Sequence, residues 1–302
     1  MKKINNLTVV IVTYLTNKRI LLKCVKSIDK KIKVIIVENS KKFIHEKYFL
    51  KKFSNLKVVC TGLNLGYGKG NNFGLDRVKT DYALILNPDI ICKSDFFKKI
   101  KKFTKRNNKF SIIGCQYSNK TKYLPAGFFD KKKHSIFQKN FLKKNNKLIK
   151  VDWVTGCSML INLKKFKNKE IFDKNYFLYF EEFDLCKSTN EKGGHVYSSS
   201  DLRVYHLGFK GSLGSNNLLK NEANKLRDWH WMWSYFYFYK KNYNYLYALI
   251  KISGKFFNSF FKAIFYTLIF NKSVRDKYLF RFLGLLFSIL GLKASYRGGQ
   301  FY

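Results

Sequence analysis

Three carboxylates stand close together in a chain that has few of them. The sequence holds 59 lysines and arginines against 19 aspartates and glutamates, yet Glu181, Glu182 and Asp184 all fall within the segment YFEEFDLC. A carboxylate can act as a general base when it lies within hydrogen-bonding reach of the proton it removes. If a helix begins here, its N-terminal dipole favours the ionised form that a base requires. The structural alternative, capping and dipole contacts at a helix start, accounts for one or two of the three acids.

A second candidate is the triplet Asn87-Pro88-Asp89, which directly follows the apolar run ALIL. Proline has no N–H group with which to continue a ladder, so the chain turns at this point. Asp89 is then left at the exit of a strand, where one carboxylate, phosphate oxygens and waters can together hold a hard divalent cation. Asn-Pro-Asp is also a common turn sequence, which is the alternative without a metal.

The glycine-rich segment GLNLGYGKGNNFGL, residues 62–75, follows a predicted strand and opens a predicted helix. Its glycines let the backbone approach a ligand closely, and a helix start offers free N–H groups to an anion. It is not a Walker loop, because Lys69 is followed by Gly70 rather than by serine or threonine. It is not a dinucleotide-binding fingerprint either, because Asn71 stands where the last glycine belongs. A tight turn is the alternative.

The elements that position these motifs follow from hydrophobic periodicity. Nearly continuous β-branched runs, typical of strands covered on both faces, alternate with amphipathic segments up to about residue 115. The predicted strands are TVVIVTY (8–14), KVIIVEN (33–39), LKVVC (56–60) and YALILN (82–87). One predicted helix, between the first two strands, carries Leu21, Leu22, Val25 and Ile28 at helical spacing. Another is the segment SDFFKKIKKFTKR, which starts at Ser94. This alternation predicts an α/β fold with a mainly parallel sheet, in which ligands bind beyond the carboxyl ends of the strands. The polar residues at these ends are Thr13, Tyr14, Glu38, Asn39, Asn87 and Asp89.

The composition sets broader limits. Hydrophobic residues make up 46% of the chain, enough for a sizeable core, and the formal net charge of +40 indicates an anionic partner. Nucleic acid, an acidic membrane surface and phosphorylated substrates all satisfy that charge. The six cysteines form no C-x-x-C pair, which predicts buried thiols rather than disulfides or a zinc site. The apolar N-terminal run is short and meets no cleavage site, so it is predicted to be the first strand rather than a signal peptide.

Three regions are predicted along the chain. Residues 1–115 form the first half of an α/β domain and residues 116–217 the second, with residues 116–150 as a long exposed excursion rich in lysine and asparagine. Residues 218–302 form an aromatic, helical region that lacks the twenty or so uncharged residues a spanning helix needs. Lysines mixed with phenylalanine, tryptophan and tyrosine suit helices that lie in a membrane interface. The alternative is a helical subdomain whose aromatics pack inward.

Taken in order, the motifs are VVIVTY, IIVENS, LNLGYGKGNNFG, LILNPD, VDWVTGCSMLI, YFEEFDLC and VYHLG. This series resembles an inverting family-2 glycosyltransferase of the A-type (GT-A) fold, particularly its rhamnosyltransferase-like branch, over residues 7 to about 212. The resemblance implies a Rossmann-like α/β fold with helices flanking the central sheet and a C-terminal helical extension. It also implies transfer of rhamnose or another hexose from a dTDP- or UDP-sugar to a hydroxyl of a surface polysaccharide or lipid-linked oligosaccharide.

The resemblance also implies residue roles. Thr13 and Tyr14 would border the nucleotide base, and Glu38 would accept a hydrogen bond from the pyrimidine or ribose. The other implied nucleotide-sugar residues are Asn39, Asn64, Gly66, Asn71, Asn87, Asp89, Trp153 and Gly156. Asp89 would bind Mg²⁺ or Mn²⁺, and His206 of VYHLG would approach that metal and the diphosphate. Glu182 would be the catalytic base, positioned by Glu181 and Asp184, and would face Asp89 across a common cleft.

The chain departs from the family pattern at four positions. Glu38 and Glu182 each replace an aspartate, and Asn87 replaces the first acid of an Asp-x-Asp element. Ser188 stands where relatives often carry arginine, so a contact to the diphosphate or within the fold can be missing. These departures concern the nucleotide contact, the placement of the base and the need for a cation.

The expected partners are a nucleoside diphosphate sugar, a saccharide acceptor on polyprenyl diphosphate, and the anionic cytoplasmic face of the inner membrane, bound peripherally. Two alternatives remain open at this point. A nucleic-acid-binding protein is disfavoured because the charge is spread along the chain and no RNA-binding motif is present. A nucleotidyltransferase would carry its glycine-rich loop just after the first strand, where this chain has YLTNKRILL.

Overall fold

The computed structural model describes residues 6–106, 109–117, 125–141, 148–208 and 217–297. In these ranges the strands are β1 (Leu7–Thr13), β2 (Lys33–Glu38), β3 (Leu56–Cys60), β4 (Tyr82–Leu86), β5 (Ile90–Cys92), β6 (Ile112–Tyr117), β7 (Ala126–Gly127), β8 (Leu148–Lys150), β9 (Trp153–Val154), β10 (Ser158–Asn162) and β11 (Val196–His206). The helices are α1 (Lys18–Lys26), α2 (Glu46–Lys52), α3 (Tyr67–Asp76), α4 (Phe96–Arg106), α5 (Lys131–Phe141), α6 (Glu181–Glu191), α7 (Asn217–Asn242), α8 (Tyr245–Leu268) and α9 (Lys272–Ile289).

The main sheet has the strand order β3-β2-β1-β4-β10-β6-β11-β5, and β8 pairs with β11 beside this path. Strands β1 to β4, β6 and β11 run in one direction, whereas β10, β5 and β8 run against them. The sheet is therefore mostly parallel, which confirms the predicted α/β class. A separate two-stranded ribbon joins β7 to β9.

Most of the predicted core residues are buried on the sheet and its helices, whereas Leu22 of α1 and Phe103 of α4 are half-buried against that core. Helix α1 begins after Asn17, whose side chain accepts hydrogen bonds from the next turn, and it buries Leu21 and Val25. Helix α4 buries Phe97 and Ile100, as its apolar stripe predicts. Each helix covers strands that are apolar on both faces, so the continuous runs in the sequence have a direct packing reason.

The six cysteines are free thiols, and all except the half-buried Cys60 are buried. This agrees with the prediction that apolar runs would enclose them. Burial raises the pKa of the Cys115 thiol to about 12, so this group stays protonated and behaves as a small apolar side chain.

The expectation of one long exposed excursion over residues 116–150 is wrong for the part that is described. Gln116 is buried in β6, Ala126 is buried in β7, and Phe137 of α5 is buried against Phe128 with ring centroids 5.5 Å apart. The lysine-rich composition hid the apolar residues Ala126 and Phe137, because isolated apolar residues among many lysines show no periodicity. Residues 118–124 and 142–147 lie outside the described ranges.

The contacts between residues divide the chain into two compact units. The first comprises residues 1–65, 69–172 and 185–212, and the second comprises residues 66–68, 173–184 and 213–302. The first unit contains the main sheet. This division follows packing rather than function, so the proposed functional halves at residues 1–115 and 116–217 stay a prediction.

The second unit is built on α7, α8 and α9, and this helical extension confirms the prediction for the C-terminal region. Trp229, Trp233 and Phe236 of α7 are buried, so part of the aromatic content does pack inward. His230 is buried as well and stacks on Phe177, and burial lowers the pKa of its imidazole to about 3. In the ranges described, no helix is both long enough and apolar enough to cross a membrane.

Candidate active site

The carboxyl ends of β1 and β2 place Thr13 and Glu38 side by side, since the two residues are partners in the parallel register. The Thr13 hydroxyl donates to Glu38 Oε2 at 2.7 Å, and the Ser40 hydroxyl donates to Glu38 Oε1 at 2.8 Å. Glu38 is buried. Two hydroxyl donors thus hold its carboxylate in one orientation, which supports a positioning role. Its expected contact with a nucleotide stays a prediction.

Asn39 extends this network to the loop after β3. Its Nδ2 donates to Asn64 Oδ1 at 3.1 Å, and its Oδ1 accepts hydrogen bonds from the Leu65 N–H at 3.0 Å and the Thr61 hydroxyl at 3.2 Å. Tyr14 is half-buried just beyond β1. The structure therefore brings Thr13, Glu38, Asn39 and Asn64 together, four of the residues predicted to bind the nucleotide sugar.

The glycine-rich segment ends in helix α3, as predicted. Gly66 has φ +83°, and a Cβ at this position would lie 2.1 Å from the Phe177 carbonyl oxygen, so glycine is required twice over. The Tyr67 N–H donates to the same carbonyl at 2.9 Å. Asn71, one turn along the helix, is fully buried. The observed role of Gly66 is close backbone packing, and its predicted contact with a nucleotide sugar stays untested.

The Asn87-Pro88-Asp89 triplet forms the predicted turn, in which the Ile90 N–H donates to the Asn87 carbonyl at 3.1 Å. The next strand, β5, pairs with β11 so that Ile90 lies opposite His206. His206 Nε2 is consequently 3.5 Å from Asp89 Oδ2, and Asp89 is buried. The structure thus brings together the two residues predicted as metal ligands.

Tyr117 supports this pair, and the sequence analysis did not identify it. Its ring stacks on the His206 imidazole with centroids 5.4 Å apart and planes at 24°. Its hydroxyl lies 3.0 Å from Thr155 Oγ1 and 2.9 Å from Cys157 Sγ. A tyrosine at the end of an apolar strand gives no signal in the sequence that distinguishes it from an ordinary core residue.

Trp153 lies in β9, and Gly156 lies in the turn that leads from β9 to β10. Trp153 is half-buried and pairs with Gly127 across the β7–β9 ribbon, and its ring centroid is 5.7 Å from that of His134. Gly156 is buried. Their expected place in an acceptor and donor-sugar pocket stays a prediction.

The acidic segment begins helix α6, and the chain enters that helix through strained backbone. Tyr179 and Phe180 have φ of 70° and 68°, a region that costs an L-residue roughly 1–2 kcal/mol. The Phe180 ring is held by contacts with Trp231 and Phe238 of α7, at centroid distances of 5.3 and 5.6 Å. Packing thus holds the backbone that aims the first turn of α6, as at many functional sites.

The three acids of that turn have different surroundings. Asp184 is buried and accepts hydrogen bonds from Lys241 Nζ at 2.7 Å and Asn242 Nδ2 at 2.9 Å. Glu181 is buried, and desolvation, followed by the charge of Glu182, raises the pKa of its carboxyl well above the ordinary value. Glu182 alone of the three is half-buried rather than buried. It is therefore the acid best exposed to a substrate, as the prediction for the base requires.

Lys241 and Asn242 are a second pair that the sequence analysis missed. Lys241 Nζ also binds Asp173 Oδ2 at 2.6 Å, so one ammonium group joins two carboxylates. Burial opposes its charge, but the hydrogen bonds to Asp173 and Asp184 dominate and raise the pKa of Lys241. These residues position Asp184, and no local pattern in a lysine-rich helix could have singled them out.

Ser188, which stands where relatives often carry arginine, donates from its hydroxyl to the Leu185 carbonyl at 3.1 Å. Its side chain therefore bonds to its own helix.

The mostly parallel sheet and its helices define the class, an α/β protein. Comparison with known proteins identifies the family. The profile of Glycosyl transferase family 2 matches residues 8–168. The chain belongs to this family. It is a glycosyltransferase of the rhamnosyltransferase-like kind. This result favours the transferase prediction over a nucleic-acid-binding protein or a nucleotidyltransferase.

A curated relative supports this assignment. The chain is 28% identical to rhamnosyltransferase WbbL of Escherichia coli K12 over 193 residues, which cover 57% of this chain and 72% of the relative.

Two solved structures share the fold. A structure of S. aureus TarS 1–349 in complex with UDP has a TM-score of 0.50 at 14% identity, covering 74% of this chain and 64% of TarS 1–349. A structure of GalNAc-T7 with UDP, GalNAc and Mn²⁺ has a TM-score of 0.50 at 17% identity, covering 78% and 50%. These likenesses establish the GT-A fold.

Proposed function

We propose that this glycosyltransferase moves rhamnose or another hexose, with inversion, from a dTDP- or UDP-linked donor to a hydroxyl of a surface polysaccharide or lipid-linked oligosaccharide. The observation that carries the proposal is the Asp89–His206 pair beyond the end of β4, in a chain of this family. The E. coli relative is a rhamnosyltransferase, and the TarS and GalNAc-T7 structures contain UDP. Both facts support the donor class.

The donor nucleotide is proposed to bind where β1, β2 and β4 end. Open α/β sheets bind ligands beyond the carboxyl ends of their strands. The ordered polar groups at this edge include Thr13, Glu38 and Asn39, each engaged in hydrogen bonds that hold it in place. A site whose side chains are already oriented binds a ligand without a further ordering cost.

The residues at the pair fit a Mg²⁺ or Mn²⁺ ion. Asp89 supplies a carboxylate oxygen and His206 an imidazole nitrogen, 3.5 Å apart. Within the described ranges, no cluster of three or more His, Cys, Asp or Glu side chains could hold a metal. The remaining ligands would be diphosphate oxygens and waters, which together with a carboxylate are the usual ligands of Mg²⁺ at phosphate sites. When bound, the cation would stabilise charge on the leaving diphosphate.

Glu182 is proposed as the catalytic base. The acceptor oxygen attacks the anomeric carbon, its proton passes to the Glu182 carboxylate, and the bond from that carbon to the diphosphate oxygen breaks. Glu182 lies in the first turn of α6, where the helix dipole favours an ionised carboxylate. The ion pair of Asp184 with Lys241 positions this turn.

Glu182→Gln tests the base. Removing a general base costs roughly 10²–10⁴-fold in rate, so we expect kcat to fall by at least about 100-fold while donor affinity is kept. The measurement is transfer with the donor identified by a thermal-shift screen of nucleotide sugars. Glu191→Gln, at the exposed far end of the same helix, is the matched control and should keep full activity. Full activity of Glu182→Gln would remove this residue from the base role.

Asp89→Ala and His206→Ala test the metal pair. Each should reduce the thermal stabilisation that a nucleotide sugar produces with Mn²⁺ or Mg²⁺, without changing any effect of the nucleotide sugar alone. Asp95→Ala removes a carboxylate that is ion-paired to Lys99 on the surface and should leave the response unchanged. Unchanged metal-dependent binding in both pair variants would contradict the assignment.

The acceptor is proposed to be carried on polyprenyl diphosphate at the cytoplasmic face of the inner membrane. The excess of lysine and arginine supports an anionic lipid carrier and surface. We expect kcat/KM to be higher for a saccharide on polyprenyl diphosphate than for the same saccharide free in solution. Equal values for the two acceptors would contradict the lipid-linked assignment.

A further inference from the structure

Helix α8 exposes a row of apolar side chains along one face. The row, called here the outer face, consists of Leu246, Ile250, Phe257, Phe261, Phe265 and Leu268. Their exposed fractions lie between 55% and 76%. At 3.6 residues per turn, the six positions fall within an arc of about 100°. The six side chains of the outer face therefore share one side of the helix rather than being scattered around it.

The opposite face of α8 packs against the other two helices of its own unit, α7 and α9. Ala248 and Ile252 are buried and pack with Met232 and Phe236 of α7 and Leu285 of α9. Helix α8 is thus apolar on two sides, and only one is needed for the fold. Large contiguous apolar patches on a protein surface mark interaction sites.

A row of lysines borders the outer face. Lys251, Lys255 and Lys262 occur at spacings of four and seven, which puts them on one side of the helix. Their Nζ atoms lie 5.0 to 5.5 Å from the ring centroids of tyrosines in α7 and α9. The sequence of α8 contains no acidic residue. An apolar stripe edged by cations is typical of helices that lie in a membrane interface.

We propose that the outer face of α8 docks on an anionic phospholipid bilayer and lies in the plane of its interface. The apolar side chains enter the boundary of the acyl chains, and the lysine row contacts the headgroups. Charge decides between this occupant and a second copy of the chain. A formal net charge of +40 opposes self-association and favours an anionic surface. The proposal stands apart from the sugar-transfer chemistry, because it uses none of the residues assigned to that reaction.

Sedimentation with vesicles tests the apolar row. The probes are vesicles of phosphatidylcholine alone and of phosphatidylcholine mixed in equal parts with phosphatidylglycerol. The wild type should bind the anionic vesicles and lose that binding at high salt. The double substitution Ile250→Ser with Phe261→Ser should weaken binding by at least about tenfold. The matched control, Ile44→Ser with Ile136→Ser, alters apolar residues exposed at 76% and 52% elsewhere and should bind like the wild type.

A charge variant tests the lysine row. Lys255→Gln should weaken binding to the anionic vesicles by about fivefold, since one lysine near such a surface contributes about that factor. Weak binding to phosphatidylcholine alone should not change. An equal loss on both vesicle types would contradict a role for headgroup charge.

Loss of binding in the serine variant could also result from misfolding, so a second variant is chosen that gains a signal on binding. Phe261→Trp should show fluorescence quenching by brominated lipid in anionic vesicles, whereas Ile44→Trp should add none. Vesicle binding that is absent in the wild type, or unaffected by the double substitution, would overturn the proposal. So would a concentration-dependent dimer in the wild type that dissociates in the double variant, since a second copy would then be the occupant.

Discussion

Folding buries the carboxyl group of Glu181 close to two other acids, Glu182 and Asp184. It is buried, and its Oε2 has no hydrogen-bond partner among the described residues. Asp184, equally buried, is compensated by Lys241 and Asn242. Two acids of one helical turn therefore lie in different electrostatic environments. A cation stabilises the charge of Asp184, whereas burial disfavours the charge of Glu181. Of the three acids, only Glu182 is half-buried rather than buried, which is the exposure that the proposed base needs.

Glu181→Gln should stabilise the protein in a pH-dependent way. The raised pKa means that the folded state holds this proton more tightly than the unfolded chain, whose value is near 4.5. The contribution of this carboxyl to the stability of the wild type is therefore most favourable below that value and is lost as pH rises through the raised pKa of the folded state. The glutamine cannot ionise, so we expect a gain of about 1 kcal/mol or more in unfolding free energy at neutral pH. Near pH 4 we expect roughly no gain.

Urea unfolding at the two pH values measures this difference. Glu191→Gln, a change of the same kind at an exposed position of α6, should show little dependence on pH. A gain for Glu181→Gln that is equal at both pH values would show that the carboxyl is ionised at no cost in the fold.

At the scale of elements, α3 approaches the sheet closely because glycines face it. A Cβ on Gly74 would lie 2.5 Å from Val10 Cγ1 of β1 and 2.9 Å from Val37 Cγ2 of β2. Glycine lowers helix stability, so its presence here has a packing reason. In α8, by contrast, a Cβ on Gly254 would meet no atom within 4 Å. Glycine thus permits close packing in α3, whereas in α8 it only lowers the stability of the helix.

The pair Gly74→Ala and Gly254→Ala should show this contrast. Gly74→Ala should destabilise the protein by about 1–3 kcal/mol, because the added methyl overpacks the contact with two strands. Gly254→Ala should stabilise it by about 0.5–1 kcal/mol, because alanine loses less backbone entropy in a helix. Chemical denaturation measures both. Equal effects of the two substitutions would contradict the close packing of α3.

For the whole molecule, the dominant feature is unbalanced positive charge. With 59 basic and 19 acidic side chains, most cations have no acid with which to pair. Like charges repel one another in the compact state, and dissolved salt screens that repulsion. In the proposed function, the same charge favours association with an anionic donor, carrier and membrane surface.

Sodium chloride should therefore raise the thermal midpoint. We expect an increase of roughly 2–4 °C between low and moderate ionic strength, which corresponds to about 1 kcal/mol for a domain of this size. Differential scanning fluorimetry measures it, and chloride is preferable to sulfate because sulfate also strengthens apolar burial. A midpoint that falls with salt would show that attractive ion pairs outweigh the repulsion.

The sequence by itself determined the strands β1 to β4, helices α1, α3 and α4, and the family, since each rests on local information. A strand covered on both faces needs a continuous apolar run, and a covering helix needs a stripe with the period of a helix. The order of short motifs then pointed to the transferase class. Short apolar anchors such as Phe137, set among lysines, carry no such period and were missed.

Only the tertiary structure decided which distant residues meet. The β5–β11 register brings His206 to Asp89, and helix packing brings Lys241 to Asp184. It also decided which of the two apolar faces of α8 is buried. The physical reason is that periodicity records that a side chain is apolar, whereas its neighbours across the fold determine whether it is covered.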